Sequence, residues 1–260
     1  MPMFINLGAA VSDTTRPIIQ NDPLLYGAPG AEFLFDFLDP LCNANPDGAL
    51  GAGVSFANLV AGGAPATIFG GAGISSLTGK SGLSLTSGNA ANGVHLGATY
   101  NHDIDSHEFI RIAWFKIPAT GFGTGYKEIF ALTPTDSNQA QFWMDSGSNG
   151  VTLRAGVGYS AGGGAIVLTD PVPAGSVYQL AMHWRPGNID LYLNGSFINT
   201  AASANDVTLH APGAAVPTIS GAFIGTIYRV YGEDATVSSL TAEGISARIA
   251  ADYANNSGRV

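Results

Sequence analysis

The chain has 260 residues, with 10 Lys+Arg against 19 Asp+Glu and a formal net charge of −9. Charged residues are only 11% of it, against about 25% in an ordinary soluble domain, and 35 residues are glycine. The acidic balance excludes a phosphate-backbone binder, which needs a Lys/Arg face; the 46% hydrophobic content excludes a disordered tail, and the single cysteine, Cys42, excludes an intrachain disulfide framework or a cysteine-built zinc site.

Residues 1–30 carry Pro2, Pro17, Pro23 and Pro29 and show no hydrophobic period. They begin MPMFINLGAAVSDTTRP, without the early positive charge and apolar core of a secretory signal. Short apolar pieces sit between polar turns. Two readings stand side by side: a loose terminal strand and linker, or an extended attachment arm whose Phe4, Ile5, Ile18, Ile19, Leu24, Leu25 and Tyr26 find burial on a partner. The division is therefore an arm over 1–30 and a single domain over 31–260.

Strand signals begin with the aromatic run Glu32–Phe37, closed by Asp39-Pro40. The uncharged stretch Gly48 to Gly79 is broken by Ser55, Asn58, Pro65 and many glycines, so no run of about 20 apolar residues exists and no membrane insertion is expected. Short strands are expected at Thr67–Phe69, Leu83–Thr86 and Gly93–Leu96. Phe109 to Ile117 is a strand with Ile110, Ile112 and Trp114 on one face and Phe115 and Ile117 on the other, so both faces are partly covered. Lys127–Leu132, Ala140–Met144 and the alternating Val151–Val157 follow.

In Ser176–Arg185, Tyr178, Leu180, Met182 and Trp184 alternate with Gln179, Ala181 and His183, the pattern of a half-buried antiparallel strand. Asn194-Gly195, between Ile189–Leu193 and Ser196–Ile198, is the signature of a type I′ hairpin, since both central residues need positive φ. Phe223–Tyr231 is a last strand. One helix follows, with Thr241 as N-cap, Leu240 and Ile245 as a hydrophobic staple and an Ile245, Ile249, Tyr253 stripe, stopped by Asn255-Asn256-Ser257-Gly258. Many short strands and one late helix predict an all-β, two-sheet antiparallel jelly-roll sandwich, roughly six strands per sheet.

Three segments in order resemble the concanavalin A-like, laminin-G-like jelly roll. They are Phe109–Lys116; Tyr178–Arg185 with Leu191-Tyr192-Leu193-Asn194-Gly195; and Ile224–Tyr231 followed by Leu240-Thr241-Ala242-Glu243 and a helix. The resemblance spans about residues 31–256. The proline-rich start and the ending Asp252–Arg259 are similar in style to lectin-fold virion proteins of tailed bacteriophages. The resemblance implies sugar or protein binding in some members, calcium in many and glycoside cleavage in a few, and fold alone does not choose among these.

The residues narrow that choice. Glycoside cleavage needs two carboxyl groups about 5–5.5 Å apart for retention or about 6.5–9.5 Å apart for inversion. Glu32, Glu108, Glu128, Glu233 and Glu243 are scattered, and the adjacent Glu233-Asp234 points to opposite faces of a strand. No enzyme activity and no cofactor are expected. Asn101, Asp103 and Asp105 offer three alternating oxygens as a weak calcium candidate, but the EF-hand glycine and glutamate are missing and a solvated loop is the default. Gly73–Ser81 has the wrong glycine spacing for a phosphate loop. Phe122, Tyr126, Trp143 and Tyr159 are the candidate stacking platforms for a glycan, and an interface role serves such aromatics equally well. The leading expectation is a non-enzymatic structural component of a phage virion, located in the virion and partnered by other virion proteins and copies of itself. A lectin module that binds a cell-surface glycan is the alternative, and a glycanase comes third.

Overall fold

A computed structural model describes residues 22–25, 28–97, 100, 107–133, 141–147, 150–160, 163–202 and 216–260. Phe4, Ile5, Ile18, Ile19, Tyr26, Asn101, Asp103 and Asp105 lie outside the described residues, and Tyr126, Trp143 and Tyr159 are described by backbone alone. The strands are β1 (Ala31–Asp36), β2 (Gly48–Ala49), β3 (Ser55–Phe56), β4 (Ala66–Phe69), β5 (Ile74–Ser76), β6 (Leu83–Leu85), β7 (Gly93–His95), β8 (Phe109–Lys116) and β9 (Gly125–Thr133). They continue with β10 (Gln141–Gly147), β11 (Gly150–Ser160), β12 (Gly163–Leu168), β13 (Val177–Arg185), β14 (Asn188–Leu193), β15 (Ser196–Ala202), β16 (Val216–Ser220) and β17 (Gly225–Asp234). A one-turn helix α1 (Ala235–Ser238) and the long helix α2 (Ala242–Asn256) close the chain.

The strands form two antiparallel sheets, as the jelly-roll expectation required. The nine-stranded sheet runs β15-β14-β13-β8-β17-β6-β5-β2, with β1 also paired to β17; the eight-stranded sheet runs β12-β11-β10-β9-β16-β7-β4-β3. The strands beyond those expected are β12, β16 and the two- or three-residue β2, β3 and β5, which carry too little alternation to be read. The Asn194-Gly195 hairpin is present, with φ of 50° and 78°. A second tight hairpin, Pro186-Gly187, joins β13 to β14, with Gly187 at φ 86° where a type II turn needs it.

The main core lies between the sheets, where Phe33, Phe115, Phe142, Leu153, Leu180, Met182 and Trp184 are buried. A second core lies on the outer face of the nine-stranded sheet. There Ile110, Ile112, Trp114 and Ala181 pack under Ile245 and Ile249 of α2. This corrects the half-buried reading of β13: seven successive residues, Tyr178–Trp184, are buried. The alternation was read with the right parity, but the face carrying Gln179, Ala181 and His183 is roofed instead of solvated. The helix is built as the sequence implies, with the Thr241 hydroxyl accepting from the Gly244 N–H at 3.2 Å. Tyr253 stacks on Trp114, ring centroids 5.6 Å apart.

At its C-terminal end the buried stripe of α2 turns polar, through Asp252 and Asn256, because Arg229 of β17 lies beneath it. The Arg229 guanidinium reaches Asp22 from both Nη atoms at 2.7 Å, Asp36 at 3.1 Å and Asp252 at 3.2 Å. Asp252 also accepts from Trp114 Nε1 and Gln179 Nε2, each at 2.8 Å. Burial alone would lower the Arg229 pKa, but Asp252, Asp22 and Asp36 outweigh it and hold the cation charged. Arg259 adds a second contact to Asp36 at 2.9 Å.

Two residues of the expected arm are thus accounted for within the chain. Leu24 is fully buried in the second core, with its carbonyl accepting from the Tyr231 hydroxyl at 3.1 Å, and Leu25 is half-buried beside it. Packing onto the sandwich therefore already includes Asp22–Leu25, upstream of the 30/31 division.

Arg229→Ala leaves three carboxylates without their shared cation. It is expected to lower unfolding stability by about 3–5 kcal/mol, measured by urea denaturation at pH 7. A change within experimental error would show that the cluster contributes nothing net.

Candidate functional site

Apart from a bulge in β9, the buried apolar residues of the eight-stranded sheet alternate with residues that make its outer face. Ala66, Ile68, Val94, Ile219, Phe142, Met144 and Leu153 face the inter-sheet core. The alternates are Thr67 and Phe69 on β4, Gly93 and His95 on β7, Thr218 and Ser220 on β16, Asp145 on β10, and Thr152 and Arg154 on β11.

One row crosses this face without a gap. Phe69 pairs with Gly93, and Gly93 with Ser220. Ser220 hydrogen-bonds the Glu128 side chain. Glu128 pairs with Trp143, and Trp143 with Arg154. Five strand spacings give the row a length of about 24 Å. Ser220 and Thr218 are buried and form its floor, while Phe69, His95 and Glu128 are half-buried along it.

The Phe69 ring stacks on the His95 imidazole, centroids 4.0 Å apart and planes 19° from parallel. Gly93 makes this possible: a Cβ there would stand 2.8 Å from the Phe69 ring and 2.4 Å from the Ile219 carbonyl oxygen. Burial lowers the His95 pKa below its usual 6.5, so the ring is neutral at pH 7. Burial raises the Glu128 pKa, and its hydrogen bond to Ser220 opposes this. Asp145 is clamped by Arg154 at 2.6 Å. The row therefore offers a flat apolar ring pair at one end, hydroxyl and carboxylate acceptors in the middle and an ion pair at the other.

Glu128 was not singled out from sequence, and the reason is a bulge. Strict alternation puts Glu128 on the same face as Phe130. A register shift between Phe142 and Trp143 inserts Ile129 as an extra residue, so that Ile129 and Phe130 both face the core and Glu128 moves to the outer face. The adjacent bulky pair Ile129-Phe130 was the available signal. Phe69 and His95 lie in strands that were expected, but strands of three or four residues carry too little alternation to show that both rings share the outer face.

Among the expected platforms, Tyr126 and Trp143 occupy outer-face register positions, opposite Asp145 and Glu128. Phe122 is half-buried against the inter-sheet core. Tyr159 is the next-to-last residue of β11. Trp114 and Trp184 are core residues, as expected, but of different cores. Among the described residues no group of three His, Cys, Asp or Glu side chains is placed to hold a metal ion. Cys42 is buried and its thiol pKa is pushed far up by burial, which makes it a poor nucleophile. A second polar cluster, His183 Nε2 against Glu108 at 2.5 Å and Nδ1 3.5 Å from Asp190, has its imidazole fully enclosed.

The family model described as the concanavalin A-like lectin/glucanases superfamily matches residues 88–227. No curated protein matches the sequence. Among solved structures, domain 4 of AbnA, a GH43 extracellular arabinanase from Geobacillus stearothermophilus in complex with arabinotriose, is similar with a TM-score of 0.52 and 16% identity. The match covers 82% of this chain and 98% of that one. The binding domain of botulinum neurotoxin serotype D gives 0.52 at 11% identity, over 79% of this chain and 47% of the other. The Trypanosoma rangeli sialidase gives 0.55 at 12% identity, over 88% and 33%. The chain thus spans about half of the toxin domain and a third of the sialidase, and at these identities the likeness is one of fold.

Gly93→Ala forces the Phe69 ring away from His95. The expected result is a loss of about 1–3 kcal/mol in stability, with the ring-current shift of the His95 protons reduced in NMR spectra. Unchanged His95 shifts would mean that the stack does not depend on the glycine.

Proposed function

The chain belongs to the concanavalin A-like lectin/glucanases superfamily, and we propose that it is a non-enzymatic glycan-recognition module whose binding surface is the outer face of the eight-stranded sheet. The observation that carries this is the row from Phe69 to Arg154. Sugars present C–H faces that stack on flat rings and hydroxyls that need acceptors and donors, and the row places the Phe69–His95 pair beside Ser220 and Glu128. Arabinotriose on the AbnA domain is consistent with such a role. The absence of catalysis is part of the proposal. A glycosidase needs two carboxyl groups facing one bond, and among the described residues of this face Asp145 is committed to Arg154, which leaves Glu128 without a second free acid.

A glycan array and calorimetry on the purified protein test the reading. Oligosaccharide binding is expected, weakened tenfold or more by Phe69→Ala, about 1.4 kcal/mol, with no release of reducing ends. No binding across the array, or sugar release abolished by Glu128→Gln, would overturn it.

A second reading sets the module in the virion of a tailed phage as a structural component, held by residues 1–21 and by neighbouring copies. Two observations favour it. Asp22–Leu25 dock on the helix-covered face of the nine-stranded sheet, so an anchor preceding them would leave the glycan row directed away from the particle. The edge strand β15 is uncharged, Ser-Phe-Ile-Asn-Thr-Ala-Ala, with Phe197 and Ile198 exposed, a surface suited to strand pairing with a second copy. Deleting residues 1–21, which spares the Asp22–Arg229 pair, should yield a folded protein that no longer incorporates into particles, scored by mass spectrometry of purified virions. Incorporation at normal occupancy would remove the anchoring role.

A further inference from the structure

We propose that the face selects an uncharged oligosaccharide and discriminates against sialylated or uronate-bearing chains. This rests on the reading of the face as a glycan site and adds the class of its ligand. Positive charge is scarce on this face. The whole chain has ten Lys and Arg residues, and Arg16 alone lies outside the described residues. Six of the other nine are held by carboxylates away from the row: Lys80 by Asp47, Arg111 by Glu32, Arg185 by Asp190, Arg229 by its three aspartates, Arg248 by Glu233 and Arg259 by Asp36. Lys116 is on β8 of the opposite sheet. Lys127 pairs with Met144, a core-facing position, and so does not share the outer face with Glu128.

That leaves Arg154 as the cation of the row, and its Nη2 is bound to Asp145 at 2.6 Å. Glu128 and Asp145 against Arg154 make the row net negative, and His95 is kept neutral by burial. Outside the described residues, Arg16 in residues 1–21 is the one remaining Lys or Arg. The segments 98–99, 101–106, 134–140, 148–149, 161–162 and 203–215 contain no Lys or Arg, but do contain Asp103, Asp105, Asp136 and Asp206. No loop from these segments can bring a Lys or Arg to an anionic sugar. A ligand carboxylate on this face would lose water, meet Glu128 and gain no fixed cation, whereas neutral hydroxyls gain Glu128 and Ser220 as partners. The length of the row, about 24 Å across five strand spacings, fits several linked sugars better than one.

The test is calorimetry with matched oligosaccharides of equal length: neutral arabino-, xylo- and gluco-oligosaccharides against oligogalacturonates and sialyllactose, at roughly 0.01 M and 1 M salt. The expected result is binding of a neutral chain at least tenfold tighter than any anionic one, with the gap narrowing at high salt. Glu128→Lys should raise the affinity for the anionic chains relative to the neutral ones, with an unchanged near-ultraviolet circular dichroism spectrum reporting an intact fold. An anionic chain bound as tightly as a neutral one by the unmodified protein, or a Glu128→Lys protein that is folded yet equally selective, overturns the inference and leaves the glycan reading standing. Binding of neither class overturns the glycan reading and this inference with it.

Discussion

Arg229 is the point on which the nine-stranded sheet is closed. Its guanidinium is enclosed by carboxylates from three distant stretches of chain: Asp22 before β1, Asp36 at the end of β1, and Asp252 in α2. A buried cation of this kind is costly unless every partner is in place, so the cluster favours one arrangement of the N-terminal segment, the first strand and the final helix. The apolar roof, Leu24, Ile245 and Ile249 over Ile110, Ile112 and Trp114, supplies the burial, and the charges fix its register.

That roof covers the middle of the nine-stranded sheet, so the two sheets are not equivalent. The outer side of the nine-stranded sheet is used for holding the chain together. Among the described residues no helix lies over the outer side of the eight-stranded sheet, which carries half-buried aromatic and polar side chains. On the proposed reading, sidedness of this kind separates holding from recognition. The segment that leads into the body docks on one side, and the row from Phe69 to Arg154 lies on the other.

The sequence was most informative where structure is local. Asn194-Gly195, the Thr241 cap and the Ile245–Ile249 stripe each depend on residues within one turn, and each appears as expected. It was least informative where partners are remote. The polar face of β13 looks solvated because the helix that covers it begins more than fifty residues later, at Ala242. β16 was missed because Pro217 argues against a strand, yet it sits between β7 and β9; its carbonyl accepts from Leu96 at 2.7 Å, and the N–H it lacks is lost from one position only. Glu128 was hidden by the Ile129 bulge, which no alternation rule can foresee.

The low charge content follows from the same architecture. Of ten cations, six serve as fixed partners of carboxylates away from the row, and one more, Arg154, is tied to Asp145 on the outer face of the eight-stranded sheet. A chain that commits its positive charges to its own carboxylates has little left for steering a charged ligand. What remains for the proposed glycan site is shape, ring stacking and hydroxyl exchange, which are short-range and nearly independent of salt. Recognition of that kind is weak per site, and it gains strength when many copies are presented together on one surface, as an assembled particle would present them.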